Sequence, residues 1–194
     1  MQNLLKRIFS YSKRRLWFSF NFSIYGNLGK KTFIDKPLKL EGTKNIFIGK
    51  KVLINKGVWL GSMPLTGNSK PVLQIKDGTT LGHFNHIYAT NSIIIDENVL
   101  TADRVYISDN LHDYSDINMP IIQQQVIHKG DVHIGSGSWI GENVCIIGAN
   151  IGKNCVIGAN SVVTKDIPDY CVAVGAPAKI IKRYNVITNK WEKV

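Results

Sequence analysis

The chain has 194 residues, 44% of them hydrophobic and 20% charged, a composition that is typical of a globular protein and excludes a disordered one. The formal net charge of +10 would suit an anionic partner, but much of this charge lies at the two ends of the chain. Basic and aromatic residues do not interleave on one recognisable module, so we expect no nucleic-acid partner. No apolar run approaches the roughly 20 residues of a membrane-spanning helix.

Residues 1–45 are predicted to form a helical segment followed by irregular lead-in strands. Up to Trp17, apolar residues fall near helical spacing, with Lys and Arg between them. The helix could cover the open end of a repeat domain or lie on an anionic membrane, and both alternatives stay open. A clean apolar stretch and a small-residue cleavage site are missing, so we expect no signal peptide and a cytoplasmic protein. The membrane alternative would place it at the inner face of the cell membrane.

Residues 46–167 carry an aliphatic residue about every six positions, often followed by Gly or another small residue. The clearest part is 132–163, where β-branched residues alternate with Gly and Asn. A short fixed period of this kind predicts a solenoid of short strands joined by tight corners. The step from Ile146 to Ile151 is one residue short, so we expect a tightened corner near Gly148. The pattern breaks near 62–72 and 108–130, where we predict loops, and 168–194 form a tail.

The cysteine and histidine residues show no metal-binding spacing. Three cysteines are an odd number, and two of them lie within the repeats, where a small apolar residue fits. We expect reduced thiols inside the domain. The five histidines are also too dispersed for a compact ligand set, so we predict no metal site.

The [LIV]-G-x-x-x-x repeats, followed by SVVTKDIPDYCVAVGAPAKIIKR, resemble the hexapeptide-repeat acyltransferases. The similarity is greatest to the branch with galactoside and maltose O-acetyltransferases and the enzymes of polysaccharide gene clusters. This resemblance covers about 46–183. It implies an all-β fold, a left-handed parallel β-helix, with a homotrimer that has its active sites between subunits and uses acetyl-CoA. The left hand comes from the resemblance alone, because parallel crossovers are usually right-handed.

Acetyl transfer to a hydroxyl requires a base whose pKa lies near ambient pH, and histidine is the obvious side chain. The resemblance implies that His112, in the second loop, is this base. Asp109 is assigned with it, because a carboxylate could fix the tautomer of the ring, although Asp113 or a backbone carbonyl could do the same. Asn85 and Asp113 are candidates for binding the acceptor. Solvated loop acids remain the alternative for both aspartates.

The resemblance also implies a set of cofactor-binding residues. Trp139 would lie beside the pantetheine end of the coenzyme, and the backbone at two small residues would bind its amides. Basic residues of the tail would bind the phosphates. A neighbouring subunit packed on the Trp and a solvated tail are the alternatives. The set comprises Trp139, Gly141, Ala159, Thr164, Lys165, Lys179, Lys182 and Arg183.

We therefore expect an acetyl-CoA-dependent O-acetyltransferase that acts on a sugar hydroxyl of a surface polysaccharide or its precursor by direct transfer. Two alternatives stay open. One is an N-acetyltransferase of a nucleotide-linked amino sugar, and the other is a non-catalytic β-helix scaffold.

Overall fold

The computed structural model describes residues 22–194, and the predicted N-terminal helix lies outside the described residues. Residues 22–194 contain 22 short strands and three 3₁₀ turns, at Phe22–Ile24, Thr43–Asn45 and Ile121–Gln123. The strands are, in chain order, β1 Asn27–Leu28, β2 Phe33–Ile34, β3 Lys39–Glu41, β4 Ile46–Ile48, β5 Leu53–Ile54, β6 Trp59–Ser62, β7 Val72–Ile75, β8 Thr80–Leu81, β9 His86–Ala89, β10 Ser92–Ile95, β11 Leu100–Thr101, β12 Tyr106–Ser108, β13 Asn110–His112, β14 Val126–His128, β15 Val132–Ile134, β16 Trp139–Ile140, β17 Cys145–Ile147, β18 Val156–Ile157, β19 Val162–Val163, β20 Cys171–Val174, β21 Lys179–Asn185 and β22 Lys190–Lys193.

From β1 to β12 and from β15 to β20, strands that follow each other in the chain lie in different sheets, and parallel pairing joins strands of successive coils. Sheet 1 has the order β1-β4-β7-β10-β15, and sheet 3 has the order β3-β6-β9-β12-β17-β19. Sheet 2 begins β2-β5-β8-β11-β16-β18-β20 and continues antiparallel into β21 and β22. Each coil therefore crosses three faces in turn, which makes a three-sided parallel β-helix.

The core is a column of aliphatic side chains that point inward from all three sheets. Ile134, Ile140 and Ile146 come from three faces of one coil, and all are fully buried. Each pairs in register with an inward residue of the preceding coil, for example Ile134 with Ile95. The six-residue period thus buries one side chain on each face, because a coil can bury its inner surface only against its neighbours.

The corners rely on residues that tolerate a left-handed backbone. Asn98, Asn143, Asn154 and Asn160 have φ values of 58°, 57°, 49° and 60°. Asn adopts this region more readily than most residues, which explains the abundance of Asn in the repeats. At the step that is one residue short, from Ile146 to Ile151, the strand on sheet 1 is reduced to Ile151. This residue forms one isolated parallel bridge to Ile134 and another to Ile167.

The structure corrects both boundaries predicted for the repeat domain. A complete coil of β1, β2 and β3 precedes residue 46 and pairs with β4, β5 and β6, so residues 27–41 are not irregular lead-in strands. Its inward residues Leu28, Ile34 and Leu40 are already six positions apart, but Lys and Pro between them obscure the period. At the other end, β20 adds to sheet 2 after residue 167 because Ala173 pairs in parallel with Ile157.

The two breaks in the period have different structures. Residues 63–71 connect β6 to β7 without a strand of their own. The second break contains an antiparallel hairpin of β13 and β14, which leaves the coil between sheet 3 and sheet 1. Its tip carries exposed apolar side chains, and Ile117 is 94% exposed.

None of the helical segments in residues 22–194 is long and apolar enough to cross a bilayer.

All three cysteines are free, and Cys155 and Cys171 are buried. Burial raises the pKa of both buried thiols, which makes them poor nucleophiles.

Candidate active site

The β13–β14 hairpin is fixed to the coil at its base by Asp109. This side chain is fully buried, and its oxygens accept the backbone N–H groups of Thr90 at 2.8 and 2.9 Å, Asn91 at 2.7 Å and Ser92 at 2.9 Å. Its own carbonyl oxygen accepts the N–H of Lys129 at 2.7 Å on the returning strand. Hydrogen bonds to a charged acceptor are stronger than neutral ones, so Asp109 holds the hairpin in one orientation.

This arrangement contradicts the assignment of Asp109 as the partner of His112. The Asp109 carboxylate is fully engaged with residues 90–92 and with the Asn110 side chain, and it makes no hydrogen bond to the imidazole. The physical reason is the extended backbone, in which side chains three residues apart point to opposite sides. Asp109 is therefore a positioning residue for the hairpin.

His112 ends β13 and pairs across the hairpin with Val126. Its side chain is exposed and lies at one edge of a groove of about 560 Å³. Within residues 22–194, the ring makes no hydrogen bond that would fix its tautomer. The groove runs over the outer face of sheet 3 beside the hairpin, and its lining is Lys39, Glu41, Trp59, Leu65, His86, Tyr88, Tyr106, Asn110, Leu111, His112, Val126 and Ile147.

The wall of this groove is a cluster of aromatic side chains from three successive coils. Trp59 pairs in register with His86, and His86 with Tyr106. The His86 ring stacks on Trp59, with centroids 4.1 Å apart and planes 9° apart, and meets Tyr106 edge-on at 5.2 Å. Tyr88 lies edge-on to Trp59 at 6.0 Å and covers Gly61, where a Cβ atom would come within 2.5 Å of its ring.

Burial governs the protonation of this cluster. Loss of solvent lowers the pKa of His86, and the negative charge of Glu41 opposes the shift only in part. The same cause raises the pKa of Tyr88. Both groups are therefore neutral near pH 7.

One ion pair closes the groove at the end remote from His112. Lys39 Nζ lies 3.0 Å from a Glu41 oxygen and 4.8 Å from the centre of the Trp59 ring. The second Glu41 oxygen accepts the indole N–H of Trp59 at 2.9 Å. These contacts fix the indole ring. Among the described residues that line the groove, Lys39 is the one cation and Glu41 the one carboxylate, so their charges balance.

The sequence analysis did not identify this aromatic cluster. A signal was present, because Trp59, His86 and Tyr106 each directly precede an inward aliphatic residue and therefore share one outward row. The insertion at 63–71 separates Trp59 from His86 and Tyr106 in the sequence. The row is therefore not visible as a regular spacing.

The predicted cofactor residues lie mainly on sheet 2, away from the groove. Trp139 is 49% exposed on β16 and stands in an outward row with Leu100, Val156, Val172 and Lys182. Lys182 is three strands from Trp139, which corresponds to about 14 Å. A long ligand that is apolar at one end and anionic at the other would match this row, with its apolar end at Trp139 and its anionic end at Lys182.

The small residues of the predicted set stack at the corner between sheets 2 and 3. A Cβ atom at Gly141 would lie 2.6 Å from the backbone nitrogen of Ala159, so this position accepts no side chain. Ala159 itself is exposed on the next coil.

Comparison with known proteins identifies the family. Residues 131–165 match the family model described as hexapeptide repeat of succinyl-transferase. The chain is 36% identical over 161 residues to "Probable acetyltransferase Rv3034c" of Mycobacterium tuberculosis, covering 82% of this chain and 51% of that protein. It is 39% identical over 129 residues to "Putative lipopolysaccharide biosynthesis O-acetyl transferase WbbJ" of Escherichia coli, covering 63% and 66%. This chain belongs to the hexapeptide-repeat acyltransferase family.

Two solved structures share this fold. A maltose O-acetyltransferase from Clostridium difficile is 28% identical, with a TM-score of 0.53 over 82% of this chain and 70% of that one. The N-acyltransferase AntD from Bacillus cereus, in complex with dTDP and 3-hydroxybutyryl-CoA, has a TM-score of 0.69 at 19% identity, over 97% and 90%. The chain spans about half to two thirds of the length of the first two curated relatives.

Two residues expected to bind the acceptor do not face the groove of this hexapeptide-repeat protein. Asn85 is fully buried inside the coil, where its amide donates to Ala102 at 2.8 Å and its oxygen accepts the Thr101 hydroxyl at 2.7 Å. It compensates the inward polar Thr101 and has no atom left for a ligand. A shift of one residue reverses the face, which is why His86 lines the groove and Asn85 does not.

Asp113 is engaged in a local turn. Its carboxylate accepts the N–H of Ser115 at 3.0 Å, and this hydrogen bond lowers the pKa of Asp113. The residue directly follows His112, but it is absent from the lining of the groove that the described residues form. The assignment of Asp113 to the acceptor stays a prediction.

The remaining predicted cofactor residues do not gather at one place. Thr164 and Lys165 are exposed and directly follow β19 of sheet 3, on the side of the coil from which the hairpin leaves. Lys179 and Arg183 are exposed on β21, but Arg183 pairs with the inward Cys171, whereas Lys182 pairs with the outward Val172. Only Lys182 of the three basic residues shares the row of Trp139 by register.

In residues 22–194, no three His, Cys, Asp or Glu side chains form a group that could hold a metal ion. The other histidines outside the groove have carboxylate partners: His83 lies 3.1 Å from Asp103, and His133 lies 2.8 Å from Asp96.

Proposed function

We propose that this hexapeptide-repeat protein is an acetyl-CoA-dependent O-acetyltransferase that acts on a sugar hydroxyl, with His112 as the general base. The observation that carries the proposal is the position of His112, an exposed imidazole at the edge of an open aromatic groove. The printed names of the relatives support the acceptor class, because they include a lipopolysaccharide biosynthesis O-acetyl transferase and a galactoside O-acetyltransferase. A glycan of a surface polysaccharide or its precursor fits these names.

In this mechanism, acetyl-CoA is a substrate that supplies the thioester. A ring nitrogen of His112 takes the proton of the acceptor hydroxyl while the hydroxyl oxygen attacks the carbonyl carbon. The carbon–sulfur bond then breaks, and the proton on His112 passes to the thiolate that leaves. His112 must be neutral at the start, because only an unprotonated ring nitrogen can take the hydroxyl proton.

We further infer that the complete site forms between two subunits of a trimer with a left-handed coil. The support is the separation within one chain: the base lies beside sheet 3, whereas Trp139 and Lys182 lie on sheet 2. A cofactor on the Trp139 row could meet His112 only if the two faces belonged to different chains. A cyclic trimer presents the second face of one subunit to the third face of its neighbour.

N-acyl transfer to a sugar nucleotide is the second candidate. One structural neighbour is an N-acyltransferase with dTDP bound, but at 19% identity it supports only the shared fold. The non-catalytic scaffold is not favoured, because a scaffold has no need of an exposed histidine at an aromatic groove.

The test is thiol release from acetyl-CoA in the presence of sugar acceptors. We expect His112→Ala to lower kcat by about 10²- to 10⁴-fold, the range typical of a lost general base. His83→Gln is the matched control, because His83 is also exposed but lies outside the groove and pairs with Asp103. Equal rates for native protein and His112→Ala would overturn the assignment of the base.

A further inference from the structure

The groove is longer than the reaction at His112 requires. Its aromatic row crosses four strands of sheet 3, from Tyr106 on the coil of the hairpin to Lys39 on the first coil. Three strand spacings correspond to about 14 Å. A single hexose ring placed with one hydroxyl at His112 would therefore leave the Trp59 end of the groove empty.

The chemistry of the remote end suits a sugar ring. Sugars present faces of C–H groups, which pack on flat aromatic rings, and hydroxyls at their edges, which need hydrogen-bond partners. Trp59 is only half-buried, and its orientation is fixed by the stacked His86 and by the hydrogen bond to Glu41. Preorganised aromatic rings bind with little loss of side-chain freedom.

The charge of the groove disfavours a sugar nucleotide. A diphosphate needs cations that are free to bind it. Among the described residues that line the groove, Lys39 is the one cation, and it is already paired with Glu41 at 3.0 Å. A phosphate at this end would also meet the Glu41 carboxylate. The aromatic residues add no charge, because burial leaves the His86 ring neutral.

We propose that the groove binds a neutral oligosaccharide, with the acetylated unit at His112 and a neighbouring glycosyl unit packed on Trp59. This inference rests on the proposed function for the reaction, but the binding site can be tested without any acetyl transfer. It also favours O-acetylation of an assembled glycan over modification of a nucleotide-linked monosaccharide.

The experiment measures binding of the full-length protein to an array of neutral glycans of one to six units, without acetyl-CoA, followed by titration of the strongest series in solution. We expect affinity to rise by roughly tenfold from one unit to two or three units, the scale of one additional stacked ring. Trp59→Ala should remove this gain and leave the affinity for the single unit unchanged.

Two variants keep the test sharp. Trp59→Phe retains an aromatic face and should retain most of the gain, which distinguishes lost stacking from a general folding defect. Phe84→Ala removes another exposed aromatic ring, on a corner outside the groove, and should have no effect on glycan binding. Circular dichroism of each variant checks that the coil is intact.

The outcomes separate the two proposals. Affinity that does not rise with glycan length, an array without binding, or tighter binding of dTDP-glucose than of any neutral glycan would each overturn the oligosaccharide site. If length-dependent binding is present but the bound glycan releases no thiol from acetyl-CoA, the proposed reaction fails while the binding site stands. His112→Ala should retain the rise of affinity with glycan length, because this gain comes from the unit on Trp59.

Discussion

The outer faces of sheets 2 and 3 belong to the same coils, yet they carry different chemistry. On sheet 3 the outward row contains Trp59, His86 and Tyr106 next to the hairpin. On sheet 2 the outward row contains Leu100, Trp139 and Val156 and leads to the basic β21 strand. Most inward residues of both sheets are aliphatic side chains, with Thr101 as a polar exception on sheet 2. The inward positions thus specify the coil, whereas the outward positions can differ from face to face at no cost to the fold.

In the proposed function, the acceptor groove and the base belong to sheet 3, and the cofactor row belongs to sheet 2. Substitutions on one face should therefore change one binding step and leave the other intact.

Asp109→Ala should disable the sheet 3 side alone. The substitution removes the carboxylate that accepts backbone N–H groups of residues 90–92. The point where the hairpin leaves the coil then loses its fixed position, and His112 loses it as well. We expect stability to fall by about 1.5–3 kcal/mol, the range for hydrogen bonds to a charged group. Urea denaturation measures this loss, and kcat should fall by more than tenfold.

A readout on the other face distinguishes this role from general unfolding. Acetyl-CoA affinity of Asp109→Ala should remain within about threefold of the native value at a temperature where the variant is folded. A variant with native kcat would show that the hairpin does not need the Asp109 anchor.

Trp139→Ala should disable the sheet 2 side. Trp139 is half-exposed, and loss of its ring should weaken acetyl-CoA binding by roughly tenfold. Titration calorimetry with acetyl-CoA measures the change. Leu100→Ala, the exposed neighbour on β11, is the control for lost apolar area. Weaker glycan binding with unchanged acetyl-CoA binding would reverse the assignment of the two faces.

Lys182→Ala and Arg183→Ala should give the smallest effects. Lys182 lies in the row of Trp139, whereas Arg183 lies on the opposite side of β21. Exposed charge pairs contribute about 0.2–1 kcal/mol, so we expect Lys182→Ala to raise the Kd of acetyl-CoA by about two- to fivefold. Arg183→Ala should change it less. Raising the salt concentration should reduce the difference between native protein and Lys182→Ala.

The success of sequence reasoning differed between the inside and the outside of the coil. Ile134, Ile140 and Ile146 could be predicted to point inward, because stacking of coils requires the same residue class at a fixed period. The first coil shows the same period at Leu28 and Ile34, but Gly29 after Leu28 has no counterpart after Ile34, where Asp35 follows.

The outward rows could not be read in this way. Which residues are neighbours in an outward row depends on the number of residues between one coil and the next. The insertion at 63–71 changes this number between Trp59 and His86. The side-chain direction within a coil was also misjudged, since Asn85 points inward and Asp109 is buried at the hairpin base. His112 came from the family resemblance, and the structure adds the groove that surrounds it.

The central claim is that the His112 face of one subunit and the Trp139 face of its neighbour form one site. The most direct measurement is acetyl-transfer activity of hetero-oligomers assembled from His112→Ala chains and chains with both Trp139→Ala and Lys182→Ala. Co-expression with two different tags isolates the mixed species. At acetyl-CoA concentrations well below the native Kd, the His112→Ala parent should be nearly inactive, and the other parent should be about 20- to 50-fold slower than the native protein.

In a cyclic trimer that contains both kinds of chain, one of the three interfaces unites an intact His112 with an intact cofactor row, so the isolated mixed species should recover about a third of the native rate. Mixed species that are no more active than the average of the two parents would contradict the account, because base and cofactor row would then have to act within one chain.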